Sequence, residues 1–476
     1  MATSGTESGS TSSIDPADTG IPGSSTGAPA PTTGSVPTGS DPTTGSEATS
    51  GESTTSSVDP PTGGGMTTGS GSTTGDESST GGEASTGGES TGADVEPWAQ
   101  KKCPVIYAQE LLPTFELELS ENELEEIEAE WLLADDSDIP QHPLKSFRWE
   151  DIVIKNASIR LRGNSSHWLE QGKMQFEISF NKMDEKGRFV GLKHVIFDAA
   201  TFNWSFMRDR LALSIMRDVG LQAPCANNAR IMLNGKYYGL FTNIEKVDSE
   251  FLERTFENPD GNLYKRVGGG NGWERKNNEE DKDTSDVKSL VAASDLAELV
   301  AVMNLDQAVL EWATEAVIPD RDGAWAGGLN LYMYNDPITG FNVVPWDLDD
   351  SFTRLPFDTD PYLFKKEPLV FHGRPYYDLA MAHPAWFKKY IDTLDFVVTK
   401  GFDVAVLQDR IDTWAEQIAT AAKEDPNRPF TNEQHKSRVK EKRNFVAKRA
   451  AYLKKWIACW KDGGTDKNKD GVCEPA

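Results

Sequence analysis

Three carboxylates, Asp347, Asp349 and Asp350, stand at the end of the apolar run Val343-Val344-Pro345-Trp346. Carboxylates at the end of a buried strand repel one another and are costly to desolvate. A divalent cation would offset that cost; a capped turn entering a helix is the plainer alternative. The residues before them read as a hairpin, NLYMYNDPITGFNVVPW, with strands Asn330–Tyr334 and Phe341–Trp346. Pairing Tyr334 with Phe341 sets Asn330 opposite Pro345. At a rise of about 3.3 Å per residue, Asn330 and Asp347 then lie close together. The segment PDRDGAWAGG carries Asp320 and Asp322 and feeds the strand at Asn330, so it ends near the same place. A loop carboxylate, an amide and a carboxylate after a hairpin are hard oxygen donors suited to Mg²⁺, Mn²⁺ or Ca²⁺.

The elements before that hairpin must hold it in place. Ile152 to Arg162 alternates as one strand, and Met174 to Asn181 is a second, with Phe176, Ile178 and Phe180 on one face. A helix from Trp204 to Val219 follows, stopped by Gly220, and Asn234-Gly235 marks a second hairpin. Helices are expected over 287–303, 306–316, 376–400, 402–422 and 432–459. Protein kinases use the same order: strands, a helix, a hairpin, then a loop Asp as base, an Asn, and a metal-binding Asp. No G-x-G-x-x-G loop and no H-R-D motif is present, which excludes an ordinary eukaryotic-type kinase. Ser165-Ser166-His167 is no triad, because such groups converge through a fold rather than sit in a row. The histidines show no H-E-x-x-H spacing, so a zinc hydrolase is not indicated.

Five blocks now fall in one order: IRLRGNSSHW…GKMQFEISFNK, FMRDRLALSIMRDVG, IMLNGKYYGLFTNIEKVDSEFL, NLYK and VVPWDLDDSF. In them the chain resembles the spore-coat protein H (CotH) kinase-like family of atypical kinases. The resemblance implies an α+β, two-lobed kinase-like fold with a β-rich N-lobe and a helical C-lobe. It also implies ATP with Mg²⁺ or Mn²⁺, and phosphorylation of Ser or Thr in a surface or secreted protein. Carried over block by block, Arg162, Gly163, Asn164 and Ser165 form the loop over the phosphates, and Lys173 is the phosphate-pairing lysine. Glu245 sits near the hinge, Asp322 is the base, and Asn330, Asp347 and Asp349 hold metal. Read without the family, Lys173 is equally a solvated lysine at a strand end, Glu245 a surface residue, and Asp320 a rival to Asp322. The chain departs from the family in three places: Lys173-Met174 for two lysines, Arg208-Asp209 for Arg-Asn, and Leu329 for an Asn.

Composition divides the chain. The first 98 residues are nearly all Ser, Thr, Gly, Pro, Ala, Asp and Glu, with 13 acidic and no basic side chains, about half of the formal net charge of −27. Such a segment lacks the apolar surface to offset its ordering entropy and is expected to be a disordered acidic stalk. The expected division is 1–98 stalk, 99–458 kinase-like domain and 459–476 tail. The acidic balance argues against a nucleic-acid partner, and no apolar stretch is long enough for a membrane span. Four cysteines allow two disulfides, and Cys459 with Cys473 would close a C-terminal loop. In that loop Asp466, Asn468 and Asp470 alternate before Gly471, the first half of a calcium loop. An exported location is expected, at the cell surface or outside it, with the export signal and any lipid anchor absent from this chain. The Ser/Thr-rich stalk is a candidate phosphoacceptor, and a non-catalytic adhesion or structural role is the rival reading.

Overall fold

Alternating apolar residues in the first half of the folded region build a mixed sheet, and the 3.6-residue periodicity of the second half builds helices around a hairpin. The computed structural model describes residues 99–133, 139–163, 172–267, 272–362, 373–467 and 473–476. Asn164, Ser165, Asn468 and Asp470, together with the stalk, lie outside the described residues.

The strands are β1 (Thr114–Glu118), β2 (His142–Pro143), β3 (Ser146–Trp149), β4 (Ile152–Ile154), β5 (Ser158–Arg162), β6 (Gln175–Ser179), β7 (His194–Asp198), β8 (Ala226–Leu233) and β9 (Lys236–Ile244). They form one sheet in the order β2-β5-β6-β7-β9-β8-β1-β3-β4. A second sheet has the order β11-β10-β12-β13, from β10 (Asn262–Arg266), β11 (Trp273–Arg275), β12 (Leu331–Asp336) and β13 (Gly340–Pro345). Helices α1 (Glu121–Leu133), α2 (Arg208–Asp218) and α3 (Ser249–Thr255) accompany the strands. Helices α4 (Ser285–Ala292), α5 (Leu296–Val302), α6 (Leu305–Val317), α7 (Pro375–Met381), α8 (Pro384–Lys400), α9 (Val404–Glu424) and α10 (Asn432–Lys461) make up the helical half.

Two apolar clusters result. One lies on the large sheet, where Phe115, Phe147, Phe176, Phe180 and Phe197 are buried together. The other joins α2, α6 and α8–α10 to the hairpin β12–β13. Helix α2 packs on β8 and on α6, so it stands where sheet meets helices. Its apolar face, Leu211 and Ile215, repeats every four residues as expected, and Gly220 ends it at φ 95°.

Several boundaries differ from the sequence reading. Ile152 to Arg162 is two strands: β4 pairs with β3, whereas β5 pairs with β6 and β2. The exposed Lys155-Asn156 lets the chain turn between these distant places in the sheet. Helix α2 begins at Arg208 because Phe206 has φ 59°, outside the helical region. Segment 287–303 breaks where Asp295 caps α5 by accepting from the Glu298 N–H. Segment 376–400 breaks at Pro384, which stands at the first turn of α8.

Both disulfides form: Cys459–Cys473, and Cys103–Cys225 across 122 residues. A cross-link over so long a loop removes much unfolded-state entropy. Replacing Cys103 and Cys225 by serine should therefore cost about 2–5 kcal/mol, read as a lower denaturation midpoint in urea. An unchanged midpoint would show that the bond restrains nothing beyond the folded core.

Candidate active site

The hairpin delivers both ends of the site. Its register is one residue away from that expected: Asn335 faces Phe341, Tyr334 faces Asn342 and Leu331 faces Pro345. The turn explains the shift. Asp336 Oδ1 accepts from the Ile338 and Thr339 N–H groups at 2.8 and 3.0 Å, and Gly340 takes φ 80°. A Cβ on Gly340 would meet the Val302 carbonyl at 2.5 Å, so the turn closes one residue tighter around glycine. Asn330 still reaches its expected neighbour, donating from Nδ2 to the Asp347 carbonyl at 3.3 Å. Asp347 itself is left-handed, φ 58° and ψ 59°, and leads into one 3-10 turn, Leu348–Asp350. A non-glycine residue there costs on the order of 1–3 kcal/mol, and such strain collects at functional sites. Ala200, Phe206 and Phe352, also left-handed, lie on the loops that flank the same acid cluster.

Helix α2 closes the cluster from the other side. Arg208 donates to the carbonyls of Asp349 at 2.9 Å and Phe202 at 3.1 Å, pinning the helix to the 3-10 turn. Asp209, 1% exposed, has no hydrogen-bond donor on either oxygen among the described residues. Burial, then Asp198 and Asp347, push its carboxyl well above the usual range. Burial, then Asp347, Asp350 and Asp209, do the same to Asp349. Asp347 is also raised by burial, with the nearby Arg162 opposing the rise. Asp198 ends β7 and accepts from Arg162 Nη1 at 3.0 Å, and the Arg162 guanidinium lies 5.7 Å from the Trp346 ring. Lys265 on β10, whose partner in the next strand is Tyr332, also feels Asp347; burial lowers its pKa. The charges of these four carboxylates thus act on one another beside Arg162 and Lys265, with Lys173 near Asp198 and the buried Lys442 near Asp209.

The base loop lies next to this cluster. Asp320 is fully buried and spends Oδ1 on the N–H groups of Asp322 and Gly323, at 2.9 and 2.8 Å. It therefore shapes the loop. Asp322 is only half-buried, and the Asn330 N–H donates to its carbonyl at 3.1 Å. Its carboxyl is pushed up to about 6, by burial first and then by Asp350, with Arg321 opposing. Arg321 bridges Asp322 at 3.3 Å and Asp350 at 2.5 Å, and Arg354 adds 2.6 Å to Asp350. Asp350 is thus bridged by two arginines, whereas Asp209 makes no ion pair among the described residues and feels Arg162 only from a distance. Beneath the loop, Glu315 accepts from the Trp325 N–H at 2.6 Å, and a Cβ on Gly323 would fall 2.3 Å from Glu315 Oε1.

Two residues expected to line the ATP site, Lys173 at the phosphates and Glu245 near the hinge, are engaged in other contacts. Lys173 is buried, with Nζ 2.8 Å from Asp425 Oδ2 and 2.5 Å from the Leu240 carbonyl, and it ties β6 to the α9–α10 connection. Glu245 follows β9, where a hinge was expected, but Arg254 holds its carboxylate at 2.8 and 2.6 Å, and the Cys225 N–H donates to it at 2.9 Å. Gly163 follows Arg162 at φ 94°. Asp466 lies beside the bridge between Thr465 and Glu474, and the rest of the suggested calcium loop is outside the described residues. Sequence reasoning missed Lys265, Asp209 and Asp198. The quoted NLYK block and the Arg-Asp departure were signals for the first two; nothing local marked the third.

All-oxygen donors of this type suit a hard divalent cation, but no three of Asp198, Asp209, Asp347 and Asp349 bring carboxylate oxygens within 4.8 Å of one another. Among the described residues, the group of three His or acidic side chains with donor atoms within 4.8 Å of one another is a different one, Glu123, Glu126 and His142. There the imidazole is clasped by carboxylates on both nitrogens, at 2.8 Å from Glu123 and 2.9 Å from Glu130.

Residues 159–453 match the model of the CotH kinase protein family. The chain is 23% identical over 244 residues to the inner spore coat protein H of Bacillus subtilis (strain 168), covering 44% of this chain and 66% of that protein. Among solved structures, the Helicobacter pylori proinflammatory kinase CtkA aligns at 11% identity and a TM-score of 0.30, over 60% of this chain and 95% of the other. The HipA–HipB toxin–antitoxin complex of Shewanella oneidensis MR-1 aligns at 13% identity and a TM-score of 0.24, over 56% and 60%. Superpositions this loose carry no residue-level weight. The family match spans well over half of the chain and takes in the acid cluster, the base loop and Lys265. This kinase-like chain belongs to the CotH kinase protein family.

Proposed function

We propose that the protein is an atypical exported kinase that transfers the γ-phosphate of ATP to Ser or Thr hydroxyls of a surface or secreted protein. Its own Ser/Thr-rich stalk is one candidate acceptor. The observation that carries this reading is the buried Asp209, whose carboxylate takes no hydrogen bond from another residue among the described residues, near Asp198, Asp347 and Asp349 and beside Arg162 and Lys265. A divalent cation bound there with ATP supplies neutralisation of the phosphate charge. Asp347, Asp349 and Asp209 would hold it, and Asn330 would fix the Asp347 backbone. Arg162 and Lys265 hold the phosphates, a role expected of Lys173 from the family pattern. Lys173 acts as a positioning residue through Asp425. Asp322 orients the acceptor hydroxyl and takes its proton. The two disulfides support an oxidising, extracellular setting. No helix among the described residues is long and apolar enough to cross a membrane.

The test is a melting curve with ATP and Mn²⁺, alone and together, beside transfer of labelled γ-phosphate to the stalk or a Ser-rich peptide. At a ligand concentration of 100 times Kd the stabilisation is about 2.7 kcal/mol. Synergistic stabilisation with label on Ser or Thr is expected. No nucleotide binding with any divalent metal would replace this reading with a non-catalytic adhesion or structural role.

A further inference from the structure

Helix α2 carries three arginines, and the acid cluster uses only Arg208. Nine residues on, about 14 Å along the axis, Arg217 reaches a cavity of about 330 Å³. Tyr107, Ser214, Asp218, Arg410 and Trp414 line it with Arg217. Charge is unbalanced here. Arg254 is paired with Glu245 at 2.6 Å, and Arg410 with Asp218 at 2.5 Å. Arg210, packed behind the wall at 4.0 Å from the Trp414 ring, has only neutral partners among the described residues: Gln109, Asn228 and Gln417. Burial, then Arg217, push its pKa down to about 9. The hydrogen bond that Arg217 makes among the described residues goes to the Pro224 carbonyl. Among the described residues neither Arg210 nor Arg217 forms an ion pair, although Glu245 and Asp218 lie near enough to Arg217 to oppose its lowered pKa, in a chain whose formal net charge is −27. The Tyr107 hydroxyl, on a residue 1% exposed, has no hydrogen-bond partner among the described residues.

Buried cations without counter-charge are costly, and a bound anion would supply the counter-charge. The volume is at the low end of small-molecule sites, and Trp414 offers an apolar face. The negative end of the α2 dipole opposes an anion here, but as a partial charge it is small against two guanidinium groups. We propose that this cavity binds a small organic anion, a carboxylate or a phosphate ester on a compact apolar body. The anionic group lies on Arg217 and Arg410, taking the place of Asp218 on Arg410, with the Tyr107 hydroxyl lining the same cavity and the body against Trp414. The site is separate from the phosphoryl-transfer reading and does not depend on it.

The test is calorimetric titration of the full chain, without metal or nucleotide, using benzoate, phenyl phosphate and benzyl alcohol. At least one anion is expected to bind at least about tenfold more tightly than the neutral alcohol, through charge-assisted hydrogen bonds. Benzoate alone would point to a carboxylate ligand, phenyl phosphate alone to a phosphate ester, and both to a site that accepts either. Arg217→Gln should weaken the anion by about tenfold or more. Arg410 is partly exposed, so Arg410→Gln, with its melting curve as a control, provides the same reading if Arg217→Gln does not fold. Equal binding of the alcohol, no binding of either anion, or unchanged anion binding in folded Arg410→Gln would overturn the proposal.

Discussion

Asp322→Asn leaves ATP binding unchanged and lowers phosphoryl transfer by about 100-fold or more, the range for loss of a positioned general base. The half-buried Asp322 can meet an acceptor hydroxyl, whereas Asp320 is fully buried with Oδ1 committed to two backbone N–H groups. Because the hydroxyl's proton moves only during the reaction, the loss appears in kcat rather than in nucleotide affinity. Asp320→Asn keeps an oxygen for the two N–H groups and should retain most of the activity. Asp320→Ala leaves those donors bare and should cost about 1–3 kcal/mol of stability. The base works deprotonated, and its carboxyl is pushed up to about 6. Thus kcat/KM for the acceptor should rise with pH through that region and level off above it. Labelled-phosphate incorporation, a nucleotide titration and a pH profile together decide this. Full transfer by Asp322→Asn, with loss in Asp320→Asn, would exchange the two roles.

Asp347→Asn should remove the joint stabilisation by Mn²⁺ and ATP while the protein stays folded, because the cation site loses a charged oxygen donor. A full thermal shift in this variant would place the cation elsewhere. Asp209→Asn separates the site's cost from its use. Asp209, Asp347 and Asp349 all have raised carboxyls. The folded protein then holds more protons than the unfolded chain above the ordinary carboxylate range, so these groups lower stability as pH rises. At pH 8 and without metal, Asp209→Asn should melt at a higher temperature than the native chain, since an unpaired buried charge is gone. It should also bind Mn²⁺ more weakly, and the difference in melting temperature should shrink towards pH 4. A variant that melts lower at pH 8 would mean that Asp209 is paired rather than exposed to its neighbours' charge.

The sequence by itself determined the local parts of this site. Asn330 and Asp347 are joined by one hairpin, and the two-residue period of a strand brings its ends together whichever register is taken. The actual register differs by one residue, and the two still meet through the Asp347 carbonyl. The four-residue repeat of α2, its stop at Gly220 and the Cys459–Cys473 loop were equally legible, since each depends on residues close in sequence. Tertiary structure decided which charges meet. Lys173 finds Asp425 across 252 residues, and Lys265 comes to Asp347 through the pairing of β10 with β12. Asp198 and Asp209 join the cluster because the end of β7 and the start of α2 converge on the turn after the hairpin. Ile152 to Arg162 alternates like one strand, yet its halves pair with different neighbours. Periodicity says which face of an element is buried. Its partner is fixed by how whole faces pack, and for these residues that choice is made between segments far apart in the chain.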